Sequence, residues 1–308
     1  MEAFKLKILG CGSALPTTQH WPTSQVLLLR GKVYVVDCGE GCQKLLRDAR
    51  VNFSRIVAIF ISHLHGDHVF GLPGLLSTLA LLGRKGALQL YGPEGIAAYV
   101  SDIKKRFLPH CPYAIEVTEL QQCVAPGDRP VYEDRSLEVV AFSLKHSVPT
   151  LGYRFTEKNV PLHLDKSMAD FYQVPISAYK EILQGSSYTT SEGEVIENSK
   201  LTRRGTPPRS YAFCSDTAYT SAIVPHVQGV SLLYHEATYR EQDRLSAEVY
   251  RHSTAQDAAR IALQANAKQL LLGHFSSRYE QEMPLLQEAQ EIFPAVLLAY
   301  EGLEIDIQ

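Results

Sequence analysis

The chain has 308 residues, 45% of them hydrophobic and 20% charged, the balance expected of a globular protein with a core to bury. That excludes a disordered, collagen-like or disulfide-stapled chain, and the length allows about two domains of roughly 150 residues or one large α/β domain. The formal net charge of -3 excludes a basic nucleic-acid footprint spread over the whole chain, so any polyanion-binding surface must be local.

Met1 to Gly10 reads as a strand, with Phe4, Leu6 and Ile8 alternating with Lys5 and Lys7, and it lacks the apolar stretch of a secretion signal. Val26 to Leu29 and Val33 to Val36 form a hairpin around Arg30-Gly31-Lys32. After the Asp37-Cys-Gly-Glu-Gly41 punctuation, Gln43 to Arg50 reads as a helix. Ile56 to Ile61 is a continuous apolar run suited to a strand covered on both faces. Helices are expected over Gly71 to Leu82 and Pro93 to Arg106, with a strand at Leu88 to Tyr91 between them.

In the second half, Leu137 to Leu144 is a strand ending near His146. Tyr211 to Cys214 ends at Ser215-Asp216-Thr217, Val230 to Tyr234 at His235-Glu236, and Gln269 to Leu272 at Gly273-His274. Thr254 to Asn266 is an alanine-rich helix entered through His252-Ser253. Polar residues at the C-terminal ends of apolar strands are where α/β folds build active sites. Between Thr156 and Pro208 strand periodicity fades, and Ser186 to Ser191 reads as a turn-rich connection. From Asn198 to Arg209, Lys200, Arg203, Arg204 and Arg209 cluster with no acidic residue. The segment reads either as a solvated surface excursion or as a protruding arm that touches a polyanion.

No apolar run approaches the roughly 20 residues that span a bilayer. The six cysteines, Cys11, Cys38, Cys42, Cys111, Cys123 and Cys214, form no C-x-x-C pair and read as buried, reduced thiols of a cytoplasmic protein, with a reactive or zinc-binding thiol as the alternative.

Chemistry concentrates in His63-x-His65-x-Asp67-His68. His63 and His65, two apart on extended backbone, point the same way and can hold one metal ion. Beyond the permissive Gly66, Asp67 and His68 can turn toward a second. Imidazole and carboxylate without cysteine suit Zn²⁺, with Mn²⁺ or Fe as competitors. The strand-end residues His146, Asp216 and His274 are candidates to complete the sets, a carboxylate being able to bridge two ions. Glu236 and His252 read as acid–base machinery, a histidine held by a carboxylate being able to protonate a leaving alkoxide. His20, His110, His163 and His226 read as structural or surface residues.

His63-Leu-His-Gly-Asp-His68 followed by Val69-Phe-Gly-Leu-Pro-Gly-Leu-Leu76 resembles the metallo-β-lactamase fold. Leu9-Gly-Cys-Gly-Ser-Ala-Leu-Pro16, Asp37-Cys-Gly-Glu-Gly-Cys-Gln43, His146-Ser-Val-Pro149, Ser215-Asp-Thr217, His235-Glu-Ala-Thr238, His252-Ser-Thr254 and His274-Phe-Ser-Ser-Arg-Tyr279 narrow the resemblance to the ribonuclease Z family of tRNA 3′-processing endoribonucleases. The resemblance implies an α/β fold, the four-layer αβ/βα sandwich, as one domain over residues 1–308 with a flexible arm inserted at 156–208. It implies two Zn²⁺ per subunit, one held by His63, His65 and His146, the other by Asp67, His68 and His274, with Asp216 bridging. Asp67 would orient or deprotonate the attacking water, and His252, aided by Glu236, would protonate the leaving 3′ oxygen. A homodimer acting on precursor tRNA is implied too, the arm of one subunit gripping tRNA at the other's site. The chain departs from the family pattern at Gln173-Val-Pro-Ile-Ser-Ala-Tyr179, where a Gly-Pro-rich motif is usual, and at Ser215, where glycine is usual. The competing readings are a phosphodiesterase for small or cyclic nucleotides and an RNA-binding relative without metals.

Overall fold

Phe4, Leu6 and Ile8 are fully buried, while Lys5 and Lys7 point to the other side of their strand and pair with Glu304 of a neighbouring strand at 2.5 and 2.8 Å. This register follows from the period-2 alternation of the first ten residues. The computed structural model describes residues 3–121, 129–158, 162–204 and 208–308. The hairpin at Arg30-Gly31 joins strands Ser24–Leu29 and Lys32–Cys38, and both turn residues have positive φ, 49° and 72°. That is the turn geometry whose twist matches antiparallel strands.

The chain divides into two compact units. The larger comprises Met1–Glu133, Glu138–Phe155 and Arg209–Gln308 and carries two seven-stranded sheets. The first runs in the order Glu304–Asp306, Phe4–Gly10, Ser24–Leu29, Lys32–Cys38, Ile56–Phe60, Leu88–Pro93, Ile115–Leu120. The second runs Val296–Leu298, Leu270–Gly273, Leu232–Glu236, Ser210–Cys214, Thr150–Glu157, Leu137–Leu144, Tyr132–Glu133. The Tyr153 hydroxyl of the second sheet donates to the Ile61 carbonyl of the first at 2.6 Å. Phe60 packs edge-on against Tyr153 and Phe155, so aromatic rings fill the space between the sheets. Helix Leu72–Leu81 buries Leu72, Leu75, Leu76 and Leu79, and Ile96–Phe107 buries Ile96, Val100 and Ile103, the stripes that helical spacing provides. The result is the αβ/βα sandwich.

Strand pairing sets the position of the chemistry. The parallel neighbours align Cys214 with His235 and Glu236 with Gly273, so Ser215–Thr217, Glu236 and His274 leave the second sheet along one edge. In the first sheet Val36 aligns with Phe60, so Asp37 and His63 also leave together.

Pro93 ends a strand instead of opening a helix, because Gly95, at φ 97°, turns the chain before Ile96. Helices Arg244–Tyr250 and Met283–Gln290 and the edge strand Ile115–Leu120 add to the elements expected from sequence. The second unit, Asp134–Leu137 with Thr156–Pro208, is not the featureless excursion its composition suggests. It packs Ala169, Val174, Ile182, Ile196 and Leu201 into a small core of its own. Within the stretch expected to be turns, Tyr188–Thr189 is a strand paired with Val195–Ile196. Arg209 departs from the basic cluster: it belongs to the larger unit and is buried, with its guanidinium 5.7 Å from the centre of the Phe4 ring. A guanidinium so placed is committed to the core and is withdrawn from the polyanion surface. Cys11, Cys38, Cys42, Cys111 and Cys214 are free thiols, and Cys123 lies outside the described residues. No helix among the described residues is long and apolar enough to cross a membrane.

Candidate active site

His63 follows strand Ile56–Phe60, His65 is the extended residue that precedes the short helix Gly66–Val69, and that helix carries Asp67 and His68. The helix sets the ligand atoms of Asp67 and His68 in a second group beside that of the first two histidines, the His63 and His68 rings lying 4.1 Å apart. His63, His65, His146 and Asp216 form one and Asp67, His68 and His274 the other, with all ligand atoms within 4.8 Å of one another in each. Asp216 divides its two oxygens between them. Its Oδ2 lies 3.6 Å from His63 Nε2 and 3.7 Å from His146 Nε2, and its Oδ1 lies 3.3 Å from His68 Nε2 and 3.0 Å from His274 Nε2. Asp216 and His274 hold this arrangement with φ of 61° and 57°, a region that non-glycine residues occupy sparingly and that gathers at functional sites.

The outward nitrogens are occupied. His68 Nδ1 donates to Asp37 Oδ2 at 2.6 Å, His146 Nδ1 to the Arg251 carbonyl at 3.1 Å, and His274 Nδ1 to Thr238 Oγ1 at 2.9 Å. Each bond fixes its ring so that Nε2 faces inward. His68 Nε2 and His274 Nε2 are buried and have no hydrogen-bond partner among the described residues, although carboxylate oxygens lie close by. Buried polar atoms left unbonded are costly, and nitrogen lone pairs converging on carboxylate oxygens are a donor set for divalent cations. Burial pushes His63 and His146 below the ordinary imidazole range, which favours the neutral form a metal ligand needs. Asp67 is mostly buried, and it accepts a hydrogen bond from the Ala14 amide at 2.9 Å.

Beside these groups stands the acid–base pair. His252 Nδ1 lies 3.0 and 3.2 Å from the oxygens of Glu236, and its ring is 5.0 Å from that of His146. Glu236 is fully buried and also accepts from the Thr217 amide, the Thr238 hydroxyl and the Ser253 amide at 2.5, 2.6 and 3.1 Å. Those donors offset its burial. Burial disfavours the His252 cation, but the Glu236 carboxylate outweighs it and lifts the imidazolium to about 9. A charged histidine with its Nδ1 held and its other nitrogen free is a proton donor.

Every candidate ligand and both acid–base residues therefore meet at one edge of the sandwich, while Arg209 lies apart from Lys200 and Arg203, in the larger unit. Lys200 and Arg203 are exposed, and the Arg203 guanidinium meets Asp165 at 2.7 Å. The Arg204 side chain lies outside the described part of the structure. His20, read from sequence as structural, has Cys11, Glu282 and Glu301 around it. Asp37, Thr238 and Ser253 support the centre without a metal-type motif of their own. Asp37 is fully buried and also takes the Ser62 amide at 2.7 Å and the Ser62 hydroxyl at 2.8 Å. Its signals in the sequence were its place at a strand end and its membership of the Asp37-Cys-Gly-Glu-Gly-Cys-Gln43 stretch, neither of which pointed to His68. Asp37→Asn puts an amide N–H₂ where three donors already point. It should weaken metal affinity by roughly 10–100-fold, as measured by competition with a chelator. Unchanged affinity would remove Asp37 from the support of His68.

The family model described as Anti-Pycsar protein Apyc1 matches residues 4–108. Ribonuclease Z of Porphyromonas gingivalis strain W83 is 51% identical over 307 residues, covering 100% of both chains. Ribonuclease Z of Parabacteroides distasonis is 49% identical over 307 residues, again covering 100% of both. Among solved structures, human tRNase Z, short form, is similar with a TM-score of 0.71 and 27% identity over 99% of each chain. The metallo-β-lactamase fold protein YhfI of Bacillus subtilis has a TM-score of 0.70 at 18% identity, also over 99% of each, a likeness of fold. With full-length relatives at this identity, the chain belongs to the ribonuclease Z family of the metallo-β-lactamase superfamily.

Proposed function

We propose that this protein is a zinc-dependent endoribonuclease that removes the 3′ trailer from precursor tRNA, leaving a 3′-hydroxyl on the tRNA and a 5′-phosphate on the trailer. The observation that carries the reading is Asp216, with one oxygen toward each ligand group, beside a Glu236–His252 pair placed to donate a proton. His63 Nε2, His65 Nδ1 and His146 Nε2 would hold one zinc, Asp67, His68 and His274 the other, and Asp216 would touch both. Two such ions supply Lewis-acid stabilisation of charge on the phosphoryl oxygens of a diester. Asp67 orients the attacking water and takes its proton as the new oxygen–phosphorus bond forms. His252 gives its free-nitrogen proton to the 3′ oxygen as the phosphorus–O3′ bond breaks, and Glu236 keeps the ring in place and its charge balanced.

The unit at Thr156–Pro208 is the tRNA-gripping arm of this reading, and the protein works in the cytoplasm as a homodimer. Lys200 and Arg203 are its phosphate contacts. The deciding experiment incubates the metal-quantified protein with a 3′-extended precursor tRNA and, separately, with bis(p-nitrophenyl) phosphate. Chelator-sensitive cleavage after the discriminator nucleotide is expected. Hydrolysis of the small diester with precursor tRNA left intact would transfer the assignment to small phosphodiesters. Replacing Lys200 and Arg203 together by alanine should lower the salt dependence of log K for tRNA by about 2, one for each phosphate contact. Hydrolysis of the small diester should stay unchanged. An unaltered salt slope would remove these residues from the tRNA contact.

A further inference from the structure

On the larger unit a third cluster of ligand-type atoms lies outside the centre just described. Cys11, immediately after strand Phe4–Gly10, is fully buried, and its Sγ lies 3.4 Å from His20 Nδ1. Glu301 Oε1 lies 3.3 Å from the same nitrogen and 3.7 Å from Sγ, and Oε2 lies 3.0 Å from Nδ1. A tetrahedral ion with bonds of about 2.0–2.3 Å to nitrogen, oxygen and sulfur separates its ligand atoms by roughly 3.3–3.6 Å. The triangle observed has edges of 3.4, 3.3 and 3.7 Å, two within that range and the sulfur–oxygen edge just beyond it. One Nδ1 has a single hydrogen to give, yet a sulfur and two carboxylate oxygens crowd within 3.4 Å of it. The carboxylates of Glu301 and Glu282 lift the His20 imidazolium to about 9, and a metal cation taken at this position would replace that proton on Nδ1.

The outer shell fits as well. His20 Nε2 lies 3.0 Å from Glu282 Oε1, the carboxylate partner that a metal-bound imidazole takes on its other nitrogen. Glu301 is oriented by the Trp21 amide, which donates to Oε1 at 2.9 Å. His20 and Glu301 keep 13% and 22% of their side-chain surface exposed, which leaves an ion an entry path and room for a water as its fourth ligand.

The geometry points to a further metal site, Cys11–His20–Glu301 with Glu282 behind His20, that takes a zinc-like divalent transition metal through a thiolate. Thiolate with imidazole selects zinc, cobalt or iron over magnesium and calcium. Glu301 lies between Val296–Leu298 of the second sheet and Glu304–Asp306 of the first, whereas Cys11 follows a strand of the first. The ion would therefore staple that crossing to the loop whose Ala14 amide holds Asp67. The same loop is bonded to Phe275, beside His274, through Ser13 N to the Phe275 carbonyl and Phe275 N to the Cys11 carbonyl. The role is structural support of the catalytic edge, and it is separable from the hydrolytic reading because the main centre contains no sulfur.

The test loads the full-length protein with Co²⁺ and reads the near-ultraviolet thiolate-to-cobalt charge-transfer band, which histidine and aspartate ligands cannot produce. The band is expected in the wild type together with a third metal equivalent, and it should be lost in Cys11→Ser and kept in Cys42→Ala. Glu282→Gln should keep the band but weaken cobalt affinity by roughly 10–100-fold. If Cys11→Ser does not fold, zinc X-ray absorption on the wild type decides through a sulfur neighbour at about 2.3 Å. A cobalt-loaded wild type without the band, a band that survives Cys11→Ser, or zinc-loaded protein without sulfur scattering would overturn the site, whatever the outcome with precursor tRNA.

Discussion

Asp216→Asn should empty both halves of the metal centre and reduce precursor-tRNA cleavage by about 10²–10³-fold, the scale set by the loss of one strong electrostatic stabiliser of a transition state. Among the described residues no other faces both ligand groups with a separate oxygen for each. The asparagine keeps the shape but withdraws the negative charge and turns an N–H₂ toward at least one pair of imidazole nitrogens. Metal analysis after gel filtration should show the loss directly. Thermal unfolding gives a second readout, because an ion that binds only the native state stabilises it by about 4 kcal/mol at 1,000 times its dissociation constant. Chelation should therefore lower Tm clearly in the wild type and far less in Asp216→Asn. Equal shifts in both proteins would mean that Asp216 is not a shared ligand.

The centre was legible in the sequence to an unusual degree because its parts are local. His63, His65, Asp67 and His68 fall within one strand end and one short helix, and the apolar strand before them announces where they emerge. His146, Asp216 and His274 carry weaker signals, yet each follows a strand, and the parallel register of the second sheet brings the last two to the same edge. What stayed hidden depends on long-range contact. Asp37 meets His68 across 31 residues and Glu301 meets His20 across 281, distances over which no periodicity speaks. Arg209 misled for the complementary reason: its basic neighbours suggested a surface, but Ser210–Cys214 is a fully buried strand and carries Arg209 inward with it. The core of the second unit escaped notice because Ala169, Val174, Ile182, Ile196 and Leu201 are too widely spaced to form a recognisable stripe.

His252→Ala should slow precursor-tRNA cleavage by roughly 10²–10⁴-fold, the range for removal of a positioned general acid, while leaving both metals bound. The diagnostic lies in the leaving group. A ribose 3′ oxygen leaves as a strongly basic alkoxide unless a proton reaches it, whereas p-nitrophenolate is a weak base that leaves unaided. Hydrolysis of bis(p-nitrophenyl) phosphate should therefore fall far less than tRNA cleavage in the same variant. A merely structural histidine would damage both substrates alike, and that outcome would end the proton-donor role. Glu236→Gln should follow the same substrate pattern, but with a folding cost. Four donors point at its two oxygens, from Thr217, Thr238, Ser253 and His252, and a glutamine presents an N–H₂ to some of them. An opposed buried donor costs about 1–3 kcal/mol, so this variant should unfold at lower temperature while His252→Ala, whose side chain is partly exposed, stays closer to the wild type. The two variants together separate the proton from the scaffold: both should lose alkoxide departure selectively, and Glu236→Gln should carry the larger loss of stability.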